Sequence, residues 1–451
     1  MAKAKISKET YKKALKIAVP AIIESFFIQL VALIDSFMVS TLDPYAVAAV
    51  GLTVQPKFIG LAIFMAISVA TSAIVARRYG EKRKKDANET LITTLLFVVI
   101  LALIFSAIYV VFADDIIRLC GSSSNTHDYA TTYLKIVMGC MIFNCLQIAI
   151  NSAQRGAGNT KITMTTNVTS NLVNVVFNYL LIGGNLGFPK LGIAGAAIAT
   201  VLGTIVSSIM SICSLLNKER FVSLIYIIKE KIRPTLNAFK TIVKFGYSVF
   251  LEQLFLRVGF AATAIMAADM GDNAMSAHQV VLNFMAINFA FGDGLQSAAV
   301  ALIGKSLGEK EPDKARAYGN ACQVLGLGIS LVLAVVYLFI SKIVMQAFFP
   351  LNPDISEIGT MLLKFQIIIV LFQISNVVYM GSLRGAGDTL YTAIVSSVSV
   401  MFFRTLVSYV CAYTFALGIL GVWFGVLADA ILKFLLASIR FKRGKWVKIK
   451  V

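Results

Sequence analysis

Long apolar blocks separated by short polar ones set the class of this chain. Stretches such as "TLLFVVILALIFSAIYVVFA" (94–113) and "VLGLGISLVLAVVYLFI" (324–340) carry no charged residue. A helix needs roughly 20 apolar residues to cross a hydrocarbon core. Twelve spans are predicted, at 15–40, 54–77, 91–113, 130–152, 161–183, 193–215, 243–268, 279–304, 320–345, 358–382, 389–413 and 417–437. The expected fold class is an all-α integral membrane protein. The first span is longer than a signal h-region of about 7–15 residues, and it holds Glu24, Gln29 and Asp35, so it reads as a span and not a cleaved leader.

The pattern repeats. Sliding the chain by 228 residues puts Glu24 on Glu252, "LDPYAVAAV" (42–50) on "MGDNAMSAH" (270–278) and Gly80 on Gly308. A slide of 229 puts Arg155-Gly-Ala-Gly on Arg384-Gly-Ala-Gly, and one of 226 puts "LGIAG" (191–195) on "LGILG" (417–421). Anchors in one order imply two six-helix lobes, 1–215 and 243–451, joined by a connector at 216–242. Six spans is an even number, so equivalent helices point the same way and the repeats are parallel, an arrangement that binds substrate between halves and rocks them. The "RGAG" motifs then fall at the turns after spans 4 and 10. Their glycines suit a tight reversal, and each arginine is expected to reach a lipid phosphate or a helix C-terminus.

Composition adds orientation. The chain is 58% hydrophobic and 14% charged, with a net charge of +18; a soluble domain carries about 25% charged residues. The positive charge is concentrated on one side: Lys3, Lys5, Lys8, Lys12, Lys13 and Lys16, then "RRYGEKRKK" (77–85), Lys218, Arg220, Lys229, Lys231 and Arg233 in the connector, and the tail "RFKRGKWVKIK" (440–450). The other side has Lys57, Arg118, Lys190 and Lys342. Positive charge stays cytoplasmic, so both termini and the connector are expected inside a cytoplasmic membrane. The basic balance then serves anionic lipid headgroups, and no nucleic-acid partner is expected. Cysteines 120, 140, 145, 213, 322 and 411 form no CxxC pair and read as packing residues. Neither His127 nor His278 has a ligand-spaced partner, so no metal centre is expected. No phosphate loop or nucleotide motif is visible, nor a gathered set of acid, base and nucleophile. The expectation is a protein without cofactor that is not an enzyme.

Polar residues inside spans are costly in lipid and normally face a bundle interior or a wet cavity. Span 5 carries Asn167, Asn171, Asn174 and Asn178, and span 4 carries Asn144, Gln147, Asn151 and Gln154, each set on one helical face. On span 1, Glu24 and Asp35 are eleven residues apart, about three turns, and share a face. Interhelical hydrogen bonding accounts for single amides, whereas eight in register point to a cavity wall. In the second half Glu252, Asn283, Asp293 and Gln373 are candidate cavity residues, with Gln279, Gln366 and Asn376 beside them. Arg257 is near enough to Glu252 in sequence for the two to pair. Asp35 falls on Thr263 in the repeat, so the acid of span 1 is not duplicated.

Together, the two halves, "LIDSFMVSTL" (33–42), "RGAGNT" and "RGAGDT", and "LGIAGAAIAT" (191–200) resemble the multidrug and toxic compound extrusion (MATE) family over nearly the whole chain. The resemblance implies two bundles forming a V-shaped cavity. It also implies an antiporter that exports small organic, often cationic, compounds in exchange for Na⁺ or H⁺. It implies a cation site of Asp35, Asn174, Thr200 and the position of Asn178, where similar bacterial members have Asp. Na⁺, if bound, would use these four. Pro20 matches a proline common on helix 1 of the family, where it kinks the helix. The protein is expected to function as a monomer, with lipid around it and a small organic substrate. A lipid-linked saccharide flippase of the same superfamily and a membrane-embedded transferase are the alternatives. The first would want a more basic cavity, and the second a catalytic cluster.

Overall fold

The computed structural model describes residues 8–40, 44–350 and 352–449; Lys3, Lys5 and Lys450 of the basic clusters, and the first two residues of the "LDPYAVAAV" anchor, lie outside them. Among the described residues the chain is helical, without strands. The first half contains α1 (Lys8–Ser40), α2 (Pro44–Gly80), α3 (Lys84–Val111), the short α4 (Ala113–Leu119), α5 (His127–Gly139), α6 (Met141–Gly156), α7 (Thr160–Gly183) and α8 (Gly192–Leu215). A short α9 (Leu224–Lys229) lies in the connector. Then follow α10 (Leu236–Asp269), α11 (Asp272–Gly308), α12 (Pro312–Phe348), α13 (Pro353–Gly385), α14 (Thr389–Val398), α15 (Thr405–Tyr409) and α16 (Gly418–Arg443). π-Helical turns at Ser399–Arg404 and Val410–Thr414 run α14 and α15 into one element.

Among the described residues ten helices are long and apolar enough to cross a membrane, and α5 with α6, bent by 48°, makes an eleventh if the pair is one span. The remaining predicted span falls on α7. At 24 residues it matches α8 in length, but its asparagines make it too polar to be picked out by apolarity. Ten or eleven such spans are approximately consistent with the twelve predicted. Helix starts follow local chemistry: α12 and α13 open on prolines, whose missing N–H and fixed φ suit a first turn.

The packing is that of a membrane protein, with small residues inside and bulky apolar ones outside. Ala70, Ala102, Ala197 and Ala321 are fully buried, whereas Val332, Phe339 and Leu406 are 63%, 70% and 62% exposed. Lipid is as apolar as leucine, so close packing and interhelical hydrogen bonds hold the helices together. Contacts divide the chain into two units, Ile23–Gly246, and Tyr247–Val451 together with the N-terminal part of the chain up to Ile22. The grouping differs from the sequence division at the start of α1, which belongs with the second half, its Ala14 and Ala18 buried among Leu295, Ile303, Val370 and Ile374, and in placing the connector and residues 243–246 with the first half. In the first unit the connector is docked. Val222, Ile227 and Ile232 pack on Val75, Leu91 and Leu215, and Asn88 on α3 donates to the Phe221 carbonyl and accepts from the Ser223 N–H, both at 2.8 Å.

Candidate cation site and two arginine–glutamate pairs

Helix α7 presents its polar face at two levels, and each level serves a different acid of α1. At the upper level Asn178 Nδ2 donates to Asp35 Oδ1 at 2.6 Å. Asn174 lies one turn away. Its amide satisfies both ends when the nitrogen faces the acid, donating to the two Asp35 oxygens at 2.8 and 3.0 Å while its oxygen accepts from Thr200 Oγ1 and the Thr200 N–H, both at 3.2 Å. Thr200 also donates to the Ala196 carbonyl at 3.0 Å, within its own helix. Asn174 and Asn178 are buried, Asp35 is half-buried, and Lys57 of α2 is near enough for its charge to act on the carboxylate. The structure therefore brings Asp35, Asn174, Asn178 and Thr200 into one cluster. Its carboxylate is held by neutral N–H donors, and Asn178 Oδ1 is a buried oxygen without a hydrogen-bond partner.

The lower level is closed by a charge. Glu24, 3% exposed, accepts from Asn167 Nδ2 at 2.6 Å, Thr163 Oγ1 at 2.8 Å and Arg155 Nη1 at 3.3 Å. Its repeat partner Glu252 is bound by Arg384 Nη2 at 2.6 and 2.7 Å, and Arg384 Nη1 donates to Gln296 at 3.2 Å. The "RGAG" arginines thus turn inward to the paired glutamates. This corrects two expectations, that they reach lipid phosphate or a helix C-terminus and that Glu252 pairs with Arg257. Helix geometry is the reason. A Cβ on Gly156 would stand 2.5 Å from the Ser72 carbonyl, and one on Gly385 2.7 Å from Val300 Cα. The first glycine of each motif therefore lets its helix lie against α2 or α11, which brings the preceding arginine within reach of the acid. The second glycine makes the turn expected of it, with φ of +82° at Gly158 and +90° at Gly387.

The amide stripe on α6 has a different partner from the one expected. Gln147, Asn151 and Gln154 meet Ser207, Ser211 and Ser214 of α8 in three successive rungs. Gln147 also bonds Asn167, and Asn151 donates to Thr166 Oγ1 at 3.0 Å. Gln147 and Asn151 are thus interhelical contacts and not open cavity wall, while Asn144 is half-buried. Asn171 is half-buried, and its Nδ2 has no hydrogen-bond partner. In the second half Gln373 sits in an internal network. It accepts from Asn288 at 3.3 Å and Gln366 at 3.4 Å, and Tyr337 closes the network on Asn288 at 2.5 Å. Asn283 and Asp293 are on an exposed side of α11.

A further charged cluster escaped sequence reasoning. Arg404, Asp429 and Lys433 are 2%, 6% and 8% exposed, with Lys433 3.0 Å from Asp429 and Arg404 at 4.0 Å. The visible signal was an Asp and a Lys four residues apart in the otherwise apolar span 12.

Apolar spans in two repeated halves, with a carboxylate held by amides inside one half, are the architecture of an integral-membrane transporter. The MatE family model matches residues 20–180 and again 248–410, once per half, and the chain belongs to that family. It is similar to a probable multidrug resistance protein NorM of Thermotoga maritima, at 25% identity over 98% of this chain and 94% of that one. An uncharacterised transporter YisQ of Bacillus subtilis is also 25% identical, over 92% and 90%. Among solved structures, an outward-facing conformation of a multidrug resistance MATE family transporter of the MOP superfamily superposes with a TM-score of 0.89 at 21% identity, covering 98% of this chain and 99% of that one.

Proposed function

We propose that this protein is a cation-coupled antiporter that exports small organic, cationic compounds across the cytoplasmic membrane by alternating access. In this reading it works as a monomer with both termini inside. The observation that carries the reading is Asp35, a half-buried carboxylate held by two amide N–H groups within a helix bundle. Such a group can lose its charge by binding a cation. When it does, the N–H donors face a weaker acceptor, α1 repacks against α7, and a cationic substrate loses its acidic partner and leaves outward. The name of the Thermotoga relative, a probable multidrug resistance protein, agrees with an exporter of this kind.

The donor geometry favours H⁺ as the coupling ion. A proton needs one carboxylate oxygen, which Asp35 supplies as it stands. Na⁺ needs several oxygens, and here the amides present nitrogen to the acid, so both would have to turn over. The unpartnered Asn178 Oδ1 is the observation that supports Na⁺ as the second reading. Purified protein in liposomes, given a Na⁺ gradient at equal pH on both sides, separates the two. H⁺ coupling predicts no dye transport there and robust transport when a pH gradient is imposed. Transport driven by Na⁺ and insensitive to a protonophore would establish the second reading.

A further inference from the structure

The second half holds a fixed positive charge in the helix cluster that corresponds to the acid site of the first half. In the repeat, Asp35 falls on Thr263, and Arg404 lies one residue past the partner of Asn174. The π-helical turn Ser399–Arg404 absorbs that extra residue. Arg404 Nη2 donates to Thr263 Oγ1 at 3.3 Å, as the amides of α7 donate to Asp35. On the third helix, Thr200 falls on Val426, and Asp429 is one turn further along α16. Asp429 is the counter-charge, taking Ser399 Oγ at 2.6 Å and Lys433 at 3.0 Å. The face of Phe260 lies 4.5 Å from the guanidinium.

The equivalent clusters therefore carry opposite net charge. In the first half Asp35 is held by two neutral amides beside a hydroxyl, and Lys57 acts on it through its charge without forming an ion pair among the described residues, so the carboxylate is open to a cation from solution. In the second, Arg404 and Lys433 face Asp429, leaving one positive charge that cannot dissociate. We propose that Arg404 is a tethered cation, taking in the second half the place of the mobile cation that the first half exchanges. The second half is then permanently in the loaded state, and each transport cycle couples to one cation. This rests on the reading of the Asp35 cluster as the coupling site, and it assigns Arg404 as a positioning residue acting through Thr263 and Asp429.

The test copies the first site into the second half with Thr263→Asp/Arg404→Asn. Dye flux in proteoliposomes of the full chain is measured against imposed gradients of the driving cation, in separate H⁺ and Na⁺ series. The number of cations exchanged per dye, read from the cation gradient that just balances an opposing dye gradient, should be about 1 for wild type and about 2 for the double variant. Asp35→Asn in the wild-type background keeps the two claims apart. If that variant retains cation-driven efflux, the reading of the first site fails whatever Arg404 does. If it abolishes coupling, and the folded double variant stays at about 1, the tethered cation alone is overturned. Should the double variant fail to fold, Arg404→Lys and Arg404→Met decide instead. Lys keeps the fixed charge and should retain the wild-type cation profile, whereas Met removes the fixed positive charge and should lower efflux about tenfold. Equal efflux from both would overturn the proposal.

Discussion

Glu24 and Asp35 share a helix and a face, yet their neighbours give them different tasks. Glu24 has a guanidinium and two further donors, whereas Asp35 has amides. Removing one member of a buried ion pair costs about 3–5 kcal/mol, because the other charge is left without a partner. Glu252→Gln should fall in that range, since the Arg384 side chain is only 10% exposed, and Glu24→Gln below it, since that of Arg155 is 25% exposed and can turn to water. Thermal unfolding in detergent checks this, and equal, negligible losses from both would contradict a structural role for the pairs. At Asp35 the expected gain is one of ion choice. Asn178→Asp adds a negative oxygen beside the carboxylate, so a Na⁺ gradient at equal pH should drive efflux in the variant and not in the wild type. The amide stripe of α7 was legible because Asn167, Asn171, Asn174 and Asn178 fall on one helical face, while the grouping of Asp35, Asn174, Asn178 and Thr200 was reached through the family resemblance. The Arg–Glu pairs were not, because their partners lie 131 and 132 residues apart. The signal that could have found them is that acid and base each recur once per half at nearly the same offset.

At the scale of helices, glycine sets how closely α13 approaches α11. Gly385→Ala would drive a methyl group into Val300 Cα at 2.7 Å, backbone that cannot give way easily. Gly328, also inside a helix, has nothing within 4 Å of an added Cβ, so Gly328→Ala should be neutral or stabilise by up to about 1 kcal/mol through helix propensity. A clear loss of folded protein for Gly385→Ala, set against none for Gly328→Ala, is the expected result in size-exclusion and melting measurements. The turn role of "RGAG" was visible from composition, but the close helix contact was not, since nothing in the sequence says which helix lies alongside. The same limit hid the contact between α6 and α8. Ser207, Ser211 and Ser214 repeat the 4, 3 spacing of Gln147, Asn151 and Gln154, but serines hardly disturb the hydropathy of a span and did not stand out.

For the whole molecule, the uneven distribution of Lys and Arg fixes the expected orientation. In a cysteine-free background, Glu230→Cys in the connector should resist an impermeant reagent added outside intact cells and react once the membrane is opened. Strong labelling of intact cells would reverse the orientation. The twelve spans and the two halves were legible because apolar length and an ordered repeat are properties of sequence alone. The packing of the start of α1 with the second half was not, since it depends on where a long helix finds its contacts. The account as a whole depends on Asp35 linking cation entry to export. Its most direct test is dye efflux driven by an imposed pH gradient in proteoliposomes holding matched amounts of wild type and Asp35→Asn. The account predicts gradient-driven efflux from the wild type and none above the passive leak from the variant, at equal folded protein and retained dye binding. Wild-type efflux from Asp35→Asn would contradict it.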